Sequence, residues 1–493
     1  MTVLILSNIG ARDVLLDGEE QRPARGAGEA LFEGYPANKD RLTLPMLAGL
    51  VSYVRSRHRE EAVRVILFGT DQPESTPTHF RETDTLYFAR LAARMLANDP
   101  ANEGITFEER LIEDINPALL DEAIPAYDRL VKPLAPGVSI CYAHISGGMP
   151  ACNMALLLQG VRHFGENLVC LYTPMKGEIT PINASRQVSN AFREAAIIDR
   201  LQRHDFANAL PLMRDLQCPP SLLHLAGYAA RRLDFDFEAA RAEMDLAYQC
   251  AEPNLRSFIQ NNGLRHDLDL LLEQKASGGR LGALLWELYW NACICYENQR
   301  YADFLARVYR FQEAALRLLV EQIFSLSTDL GKDVRDVNQA AWETRISQNA
   351  ALLASLEAAK MDDKPLNWKT IGRPTYKCML SFAIKENGRD TNGTLLIAER
   401  ERGKMNELFR SINQLDDLVE LRHRTIVGHD FAGVSEGMLL AAAPKRNDVT
   451  QLPTAHWRYI MGKLRDRLPN RPANSPYENI SDFIVQSLRL REG

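Results

Sequence analysis

The sequence predicts an α/β domain built on a mainly parallel sheet, followed by two domains made of helices. Over residues 1–185, short β-branched runs alternate with segments of helical spacing, which is typical of a parallel sheet with helices on both faces. From residue 188 to about 357 the strand signals nearly vanish, and apolar residues recur at helical spacing. At 493 residues the chain is also long for a single core, so two or three domains are expected.

Strands of the first domain are predicted where an apolar run stops at a polar or glycine-containing turn. They cover residues 3–9, 63–68, 138–143 and 168–172. Helical spacing over residues 42–57, 83–96 and 117–131 predicts helices between these strands, and a further helix is expected from Pro150. This order of strands and helices is what a parallel sheet requires.

The rest of the chain is predicted to be helical, with loops where proline and aspartate occur at residues 361–376 and 444–454 and over residues 469–477. We divide the chain into an α/β domain at residues 1–185, a helical middle at residues 186–285 and a helical C-terminal domain at residues 286–493.

The composition is that of an ordinary globular protein, with 46% apolar and 25% charged residues. A formal net charge of −6 argues against a bulk nucleic-acid binder, so any RNA site has to be locally basic. The eight cysteines are scattered, which favours buried thiols in a reducing cytosol over a zinc site. No apolar stretch approaches the ~18–20 residues of a membrane span, and the N-terminal run is short for a signal peptide. We therefore expect a cytoplasmic protein with no membrane association and no bound metal.

Polar or glycine residues follow three of the predicted strands. They are Ser7, Asn8 and Gly10 at the end of the first strand, Thr70, Asp71 and Gln72 after the second, and Ser146, Gly147 and Gly148, with the adjacent Met149, after the third. Ligands of open parallel sheets bind at the carboxyl ends of the strands, so these residues are the candidate ligand-binding set. Considered together, they favour a nucleotide-like ligand.

The turn at Gly147 and Gly148 is the most informative of the three. Two glycines let the backbone approach a ligand closely, and Pro150 suits the first turn of a helix whose N-terminus would face an anion such as a phosphate. The run is neither a Walker loop nor the glycine fingerprint of dinucleotide-binding folds. By itself it is equally well interpreted as a tight connection.

An Arg/His run, Arg422-His423-Arg424, follows a predicted helix and is followed in turn by His429. Metal-free RNA cleavage needs a group that moves protons, which suits histidine, and a group that stabilises charge on the phosphate, which suits arginine. On residue types alone a solvated basic helix face is the better interpretation. Arg422 and His429 would share a face if the helix continued, and Gly428 is a possible helix end.

Taken together, the two halves of the chain resemble the CARF–HEPN ribonucleases, the ancillary RNases of type III CRISPR systems, and the resemblance covers essentially the whole chain. Ser7-Asn8-Ile9-Gly10 and Ser146-Gly147-Gly148 are similar to the two ligand-binding signatures of a CARF domain, and Gly69-Thr70-Asp71-Gln72 is similar to a further strand end of that family. Arg422-His423, five further residues and His429 match the HEPN pattern of an arginine, a polar residue, a spacer and a catalytic histidine.

This resemblance implies a Rossmann-like CARF domain at residues 1–185 that senses a cyclic oligoadenylate of four or six adenylates. It also implies a helical linker at residues 186–285 and an all-α HEPN domain at residues 286–493 that cuts single-stranded RNA without metal, by attack of the 2′-hydroxyl. The chain would work as a homodimer without a cofactor, and the ligand would activate cleavage allosterically.

Two positions depart from the family pattern, and two arginines compete. Met149 stands where a small hydroxyl residue is usual, which puts into doubt any ring-opening activity of the CARF pocket on its own ligand. His423 stands where asparagine is commonest, and Arg424 competes with Arg422 as the catalytic arginine. The alternative function is a non-catalytic or transcriptional sensor, which predicts a winged helix after residue 330. A dinucleotide enzyme fits less well, because the first turn contains only Gly10.

Overall fold

The computed structural model describes residues 2–174, 178–273, 278–329, 331, 334–361, 363–428, 430–443, 445–446, 449–450, 453–464, 467–468 and 474–490. The chain divides into two compact units, Met1–Arg193 and Glu194–Gly493.

The N-terminal unit is built on a mainly parallel sheet. Its strands are β1 (Thr2–Asn8), β2 (Leu15–Leu16), β3 (Glu19–Glu20), β4 (Leu42–Thr43), β5 (Ala62–Asp71), β6 (Ile105–Glu113), β7 (Val138–His144), β8 (Leu168–Tyr172) and β9 (Thr180–Ile182). Six of them form one sheet in the order β6-β5-β1-β7-β8-β9, in which only the β8–β9 pair is antiparallel. The short strands β2, β3 and β4 form a separate antiparallel sheet.

Helices cover both faces of the large sheet. The helices of this unit are α1 (Ala24–Glu33), α2 (Tyr35–Asn38), α3 (Pro45–Arg57), α4 (Thr78–Arg81), α5 (Leu86–Ala97), α6 (Leu120–Val131), α7 (Pro150–Phe164) and α8 (Ala184–Gln202), whose last residues belong to the second unit. Successive residues of β1 face opposite sides, so Ile5 joins the core under α1, α3 and α5, while Leu6 joins the core under α6 and α7. Both faces of β1 are therefore buried, as expected of a central parallel strand.

The predicted α/β class of this unit is confirmed, and two local expectations need correction. Strand β6 was not predicted, because Glu108 and Arg110 interrupt its apolar pattern. As an edge strand it tolerates these charges, and Glu108 pairs with Arg64 of β5 and with Arg110. The helix predicted from residue 42 begins at Pro45, because Leu42–Thr43 pair with β2 instead.

The second unit is helical, as predicted. Its helices are α9 (Phe206–Asp215), α10 (Pro220–Leu233), α11 (Phe237–Gln249), α12 (Pro253–Asn261), α13 (Leu264–Leu272), α14 (Gly278–Glu297), α15 (Tyr301–Phe324), α16 (Arg335–Ser347), α17 (Ala350–Ala358), α18 (Arg373–Lys385), α19 (Glu399–Asn413), α20 (Asp416–His423), α21 (Glu436–Ala442), α22 (Pro453–Leu464) and α23 (Pro476–Arg489). Two hairpins of two-residue strands, β10–β11 (Lys360–Met361 and Lys364–Pro365) and β12–β13 (Lys445–Arg446 and Val449–Thr450), complete the described part. Among the described helices, none is long and apolar enough to cross a membrane.

Helix α15 is the central element of the second unit. It packs against α14, α18, α19 and α20, and Phe304 and Phe311 are buried against Trp457 of α22. The boundary predicted between residues 285 and 286 falls inside α14, and the subdivision of this unit stays a prediction.

A buried ion pair joins α10 to α14. The Arg232 guanidinium donates to Glu287 at 2.7 Å and 2.9 Å, and both side chains are almost completely buried. Glu287 also accepts a hydrogen bond from the hydroxyl of Tyr477 on α23. Burial raises the pKa of Glu287, an effect that the Arg232 charge opposes. The pair therefore couples three helices that are distant in sequence.

Candidate functional site

Two of the three predicted strand ends meet at the point where the strand order of the large sheet reverses. From β1 the chain first adds β5 and β6 on one side, and it then adds β7 and β8 on the other. Such a reversal opens a crevice beyond the carboxyl ends of the two central strands, where ligands of open α/β sheets bind. Ser7 of β1 and His144 of β7 are direct neighbours there.

A cavity of about 300 Å³ lies at this crevice. Its lining residues come from all three predicted strand ends and from the helices beside them. They are Asn8, Ile9, Gly10, Ala11, Phe68, Thr70, Thr83, Thr85, Ile112, Tyr127, Gly148, Met149 and Cys152. The cavity thus combines an apolar wall with hydroxyl, amide and backbone polar groups, the usual composition of a small-molecule site.

The turn at Gly10 and the turn at Gly147 and Gly148 cross with their backbones in direct contact. A Cβ atom on Gly10 would lie 2.8 Å from the backbone nitrogen of Gly148, and one on Gly147 would lie 2.6 Å from the carbonyl oxygen of Asn8. Gly148 has a φ of +74°, and a Cβ there would lie 2.9 Å from that of Asn8. Only glycine fits this crossing without displacing the backbone.

Helix α7 begins directly after the crossing. Met149 precedes it in an extended conformation, Pro150 occupies its first turn, and no side chain caps it. The first backbone N–H groups of an uncapped helix lack intrahelical partners and carry the positive end of the helix dipole. This terminus therefore has the chemistry that binds an anion, as the sequence predicts.

His144 is fixed in the neutral form below the crossing. Its Nδ1 lies 3.0 Å from the Ser7 hydroxyl and its Nε2 lies 2.9 Å from the Thr173 hydroxyl. Burial lowers the pKa of His144 to about 4. The hydroxyl of Ser146 accepts a hydrogen bond from the backbone N–H of Thr173. Ser7 and Ser146 are thus engaged in fixing the ends of β1 and β7, and neither lines the cavity.

Asn8 connects the cavity to α7, the helix that the sequence predicts beside the ligand, and to α6, which the sequence did not associate with it. Its amide nitrogen donates to the side-chain oxygen of Asn153 on α7 at 2.7 Å, and its amide oxygen accepts from the hydroxyl of Tyr127 on α6. Tyr127 is fully buried and lines the cavity. Its position in the middle of an amphipathic helix gave no signal beyond that of a core residue.

The three residues predicted at the end of β5 differ in what they contact. Thr70 lines the cavity, and its hydroxyl accepts from the backbone N–H of Thr85. Asp71 instead pairs with Arg25 at 2.7 Å, and Gln72 donates its side-chain amide to Asp84. Of the three residues predicted here, only Thr70 contacts the cavity.

The Arg/His run lies in the second unit at the end of α20. This helix ends at His423, so it does not continue through Gly428. A turn follows, in which the N–H of Gly428 donates to the carbonyl of Thr425. A Cβ on Gly428 would lie 2.4 Å from the carbonyl oxygen of Arg422. The predicted catalytic His429 lies outside the described residues.

Two residues of the run contact one aromatic ring. The Arg422 guanidinium lies 4.5 Å from the ring centroid of Tyr309 on α15, and the His423 ring meets Tyr309 edge-on with centroids 6.2 Å apart. Arg424 is exposed and interacts with Glu420 of its own helix at 3.3 Å. The environments of the two competing arginines therefore differ. In the part of the chain that the structure describes, no group of His, Cys, Asp and Glu side chains could hold a metal ion.

The comparison of the whole fold with solved structures identifies the architecture. The structure of Enterococcus italicus Csm6 bound to cyclic hexa-2′-fluoro-hexa-dAMP superposes with a TM-score of 0.50 and 14% identity, over 99% of this chain and 100% of that one. The chain has the Csm6 fold. No protein-family model and no curated protein matches the sequence. The resemblance to CARF–HEPN ribonucleases is thus confirmed as a likeness of fold over the full length.

Within the Csm6 fold of this chain, the candidate sites contain several residues that the sequence did not indicate, and three of them matter most. Tyr127 and Tyr309 were indistinguishable from core aromatics, because their relevant contacts are with residues more than 100 positions away. Asp13 lies behind the glycine crossing and is fully buried. An aspartate three residues after the first strand-end glycine was the only available signal for it.

Proposed function

We propose that this chain is a cyclic-oligoadenylate-activated, metal-independent endoribonuclease of type III CRISPR defence, which senses its activator in the N-terminal unit and cuts single-stranded RNA in the second unit. The observation that supports it most is the full-length Csm6 fold combined with an anion-ready cavity at the strand-order reversal. The Csm6 of the comparison was solved with a cyclic hexaadenylate analogue, and we extend this ligand class to the present chain.

The chemistry of the cavity supports a cyclic oligonucleotide. The uncapped N-terminus of α7 suits a phosphodiester, and Gly148 lets the ligand approach the backbone. Apolar and hydroxyl groups of the lining, such as Met149 and Thr70, suit an adenine ring and a ribose. A cavity of about 300 Å³ holds only part of such a ring, which accords with a site that a second copy of the chain completes in a homodimer.

The proposed cleavage needs no metal. The 2′-oxygen of the substrate attacks the adjacent phosphorus while the bond to the 5′-oxygen breaks, which gives a 2′,3′-cyclic phosphate and a 5′-hydroxyl. His429 moves the proton released by the 2′-hydroxyl or the proton taken up by the leaving oxygen, and Arg422 stabilises the charge on the phosphoryl oxygens. We favour Arg422 over Arg424, because Arg422 is held against Tyr309 whereas Arg424 is exposed. His423 completes the proposed set.

Cleavage of a fluorescent single-stranded RNA in EDTA, with and without cyclic tetra- and hexaadenylate, tests this function. We expect one ring size to activate the wild type, and His429→Ala and Arg422→Ala to abolish the activity. His266→Ala, an exposed histidine of the same unit, is the control and should cleave normally. Arg424→Ala should retain activity if Arg422 is the catalytic arginine. Ligand binding without any cleavage by the wild type would instead favour the non-catalytic sensor.

A further inference from the structure

The carboxyl group of Asp13 contacts both glycine turns of the candidate ligand site, the turn at Gly10 and the turn at Gly147 and Gly148. Its Oδ2 accepts a hydrogen bond from the backbone N–H of Gly10 at 2.7 Å. The same oxygen lies 2.6 Å from where a Cβ on Gly147 would stand, so the second turn packs directly on the carboxyl group. The backbone N–H of Asp13 donates in turn to the carbonyl of Gly10. One side chain thus contacts both turns whose glycines cross at the cavity.

The environment of Asp13 does not suit a charged carboxylate. The side chain is fully buried, and its second oxygen, Oδ1, has no hydrogen-bond partner. Burial raises the pKa of Asp13 to about 7, although the Gly10 hydrogen bond opposes this. An unpartnered buried charge is costly, which accounts for the direction of the shift.

Among the described residues, the charged and titratable groups of the neighbouring segments do not neutralise Asp13. Arg12, the adjacent residue, is exposed and pairs with Glu20 at 3.2 Å. His144, at the end of β7 before the second turn, has its pKa lowered to about 4 and is uncharged near neutrality. Of these described groups, Asp13 is therefore the one whose charge is expected to change near pH 7.

We propose that Asp13 is a proton-linked positioning residue, which holds the two glycine turns together and makes the binding of an anionic ligand at their crossing depend on pH near neutrality. The proposal rests on the function proposed above for this cavity. A cyclic oligoadenylate carries one negative charge per phosphodiester, and its phosphate is expected at the N-terminus of α7, directly after Gly148. An ionised Asp13 behind the turns would repel that charge, whereas a protonated one would not. Ligand binding should therefore favour the protonated form, and a higher pH should weaken binding.

The unfolding midpoint of the ligand-free chain tests the first half of the proposal. Because the folded chain holds a proton on Asp13 that the unfolded chain releases near its ordinary pKa, wild-type stability should fall as pH rises toward about 7 and then level off. Asp13→Asn keeps the oxygen that accepts from Gly10 and cannot ionise. We expect the difference in unfolding midpoint, wild type minus Asp13→Asn, to decrease from pH 5 to pH 7 and to stay constant above pH 8. The exposed Asp40→Asn is the control and should follow the wild type.

Calorimetric binding of cyclic tetra- and hexaadenylate at pH 6 and pH 8 tests the second half. We expect wild-type affinity to be about 3- to 10-fold weaker at pH 8, which is the size of one partly linked proton, and Asp13→Asn to bind equally at both pH values. Asp13→Ser, which is also uncharged, serves if Asp13→Asn does not fold. Equal pH dependence in the wild type and in the uncharged variant overturns the proposal. If neither ring binds at either pH, the sensing function fails, and the unfolding midpoints alone then decide whether Asp13 titrates as proposed.

Discussion

The guanidinium of Arg422 lies over the ring of Tyr309, 4.5 Å from its centroid. Tyr309 is half-buried on α15, the helix that packs against α14, α18, α19 and α20. A cation over an aromatic face is stabilised by about 0.5–1 kcal/mol at a partly exposed position. The contact also restricts the long arginine side chain, so the proposed catalytic group is held by the centre of the unit.

Replacement of Tyr309 by leucine should lower kcat for RNA cleavage by about 2- to 5-fold, because the lost contact corresponds to about 0.5–1 kcal/mol of positioning. KM should change little, since the ring positions Arg422 and does not bind the substrate backbone. Tyr309→Phe retains the aromatic face and should cleave at nearly the wild-type rate. Steady-state kinetics at saturating activator measure both parameters.

The matched control is Tyr53→Leu, which removes a similar stack of Arg57 on Tyr53 at 3.6 Å in the N-terminal unit. It should leave kcat unchanged at saturating activator. Equal losses of kcat in Tyr309→Leu and Tyr309→Phe would contradict a role for the contact between the aromatic face of Tyr309 and Arg422.

Gly148→Ala should weaken binding of the cyclic oligoadenylate by at least about tenfold, because both its positive φ and the close approach of Asn8 exclude a Cβ. Gly137→Ala is the control, since Gly137 has a φ of +79° but no atom within 4 Å of the place where a Cβ would stand. Both variants should lose stability from backbone strain, Gly148→Ala the more because its Cβ also meets Asn8, and only Gly148→Ala should lose affinity. Calorimetry together with unfolding midpoints separates the two effects, and equal affinities would contradict the assignment of the crossing to the ligand site.

Low pH should destabilise the N-terminal unit through His144. Burial lowers the pKa of His144 to about 4, so the folded chain binds fewer protons than the unfolded chain below the ordinary value of 6.5. Stability should therefore fall as pH decreases from 6.5 to about 4, by up to about 3 kcal/mol for this group. Denaturant unfolding of the wild type and of His144→Asn over this range measures the difference. Parallel pH profiles of the two proteins would exclude a neutral buried His144.

Breaking the buried Arg232–Glu287 pair should strongly destabilise the second unit. Glu287→Gln leaves the guanidinium buried without its counter-charge, so we expect a loss of about 3–5 kcal/mol in the free energy of unfolding. The double variant Arg232→Met with Glu287→Leu should recover part of this loss, because neither charge of the pair remains, while the buried Tyr477 hydroxyl loses its acceptor. Asp199→Asn, which breaks the exposed pair with Arg203, is the control and should cost less than about 1 kcal/mol. A loss of that small size for Glu287→Gln would contradict the burial of the pair.

The sequence predicted correctly those elements in which the pattern of apolar residues matches the burial in the fold. β1 and β7 are central strands with apolar residues on both faces, so their runs were recognised directly. β6 was missed because its edge position lets charged pairs replace apolar contacts. The start of α3 was misplaced because pairing of Leu42–Thr43 with β2 is a tertiary contact that overrides local helical spacing.

For the candidate sites, local sequence identified the turns but not the residues that fix them. The glycines and Thr70 were found because strand ends in a parallel sheet converge by geometry. Asp71 and Gln72 belong to the same strand end, yet their partners Arg25 and Asp84 direct them away from the cavity. Asp13, Tyr127 and Tyr309 act through contacts that only the folded chain creates, and no motif marks them.

The most direct test of the proposed function is the initial rate at which the wild-type chain cuts single-stranded RNA in EDTA, measured with and without cyclic tetra- or hexaadenylate. We expect a low rate without ligand, a large increase with one of the two rings, and products that end in a 2′,3′-cyclic phosphate. A rate that neither ring changes, or cleavage that requires a divalent metal, would contradict the proposed function.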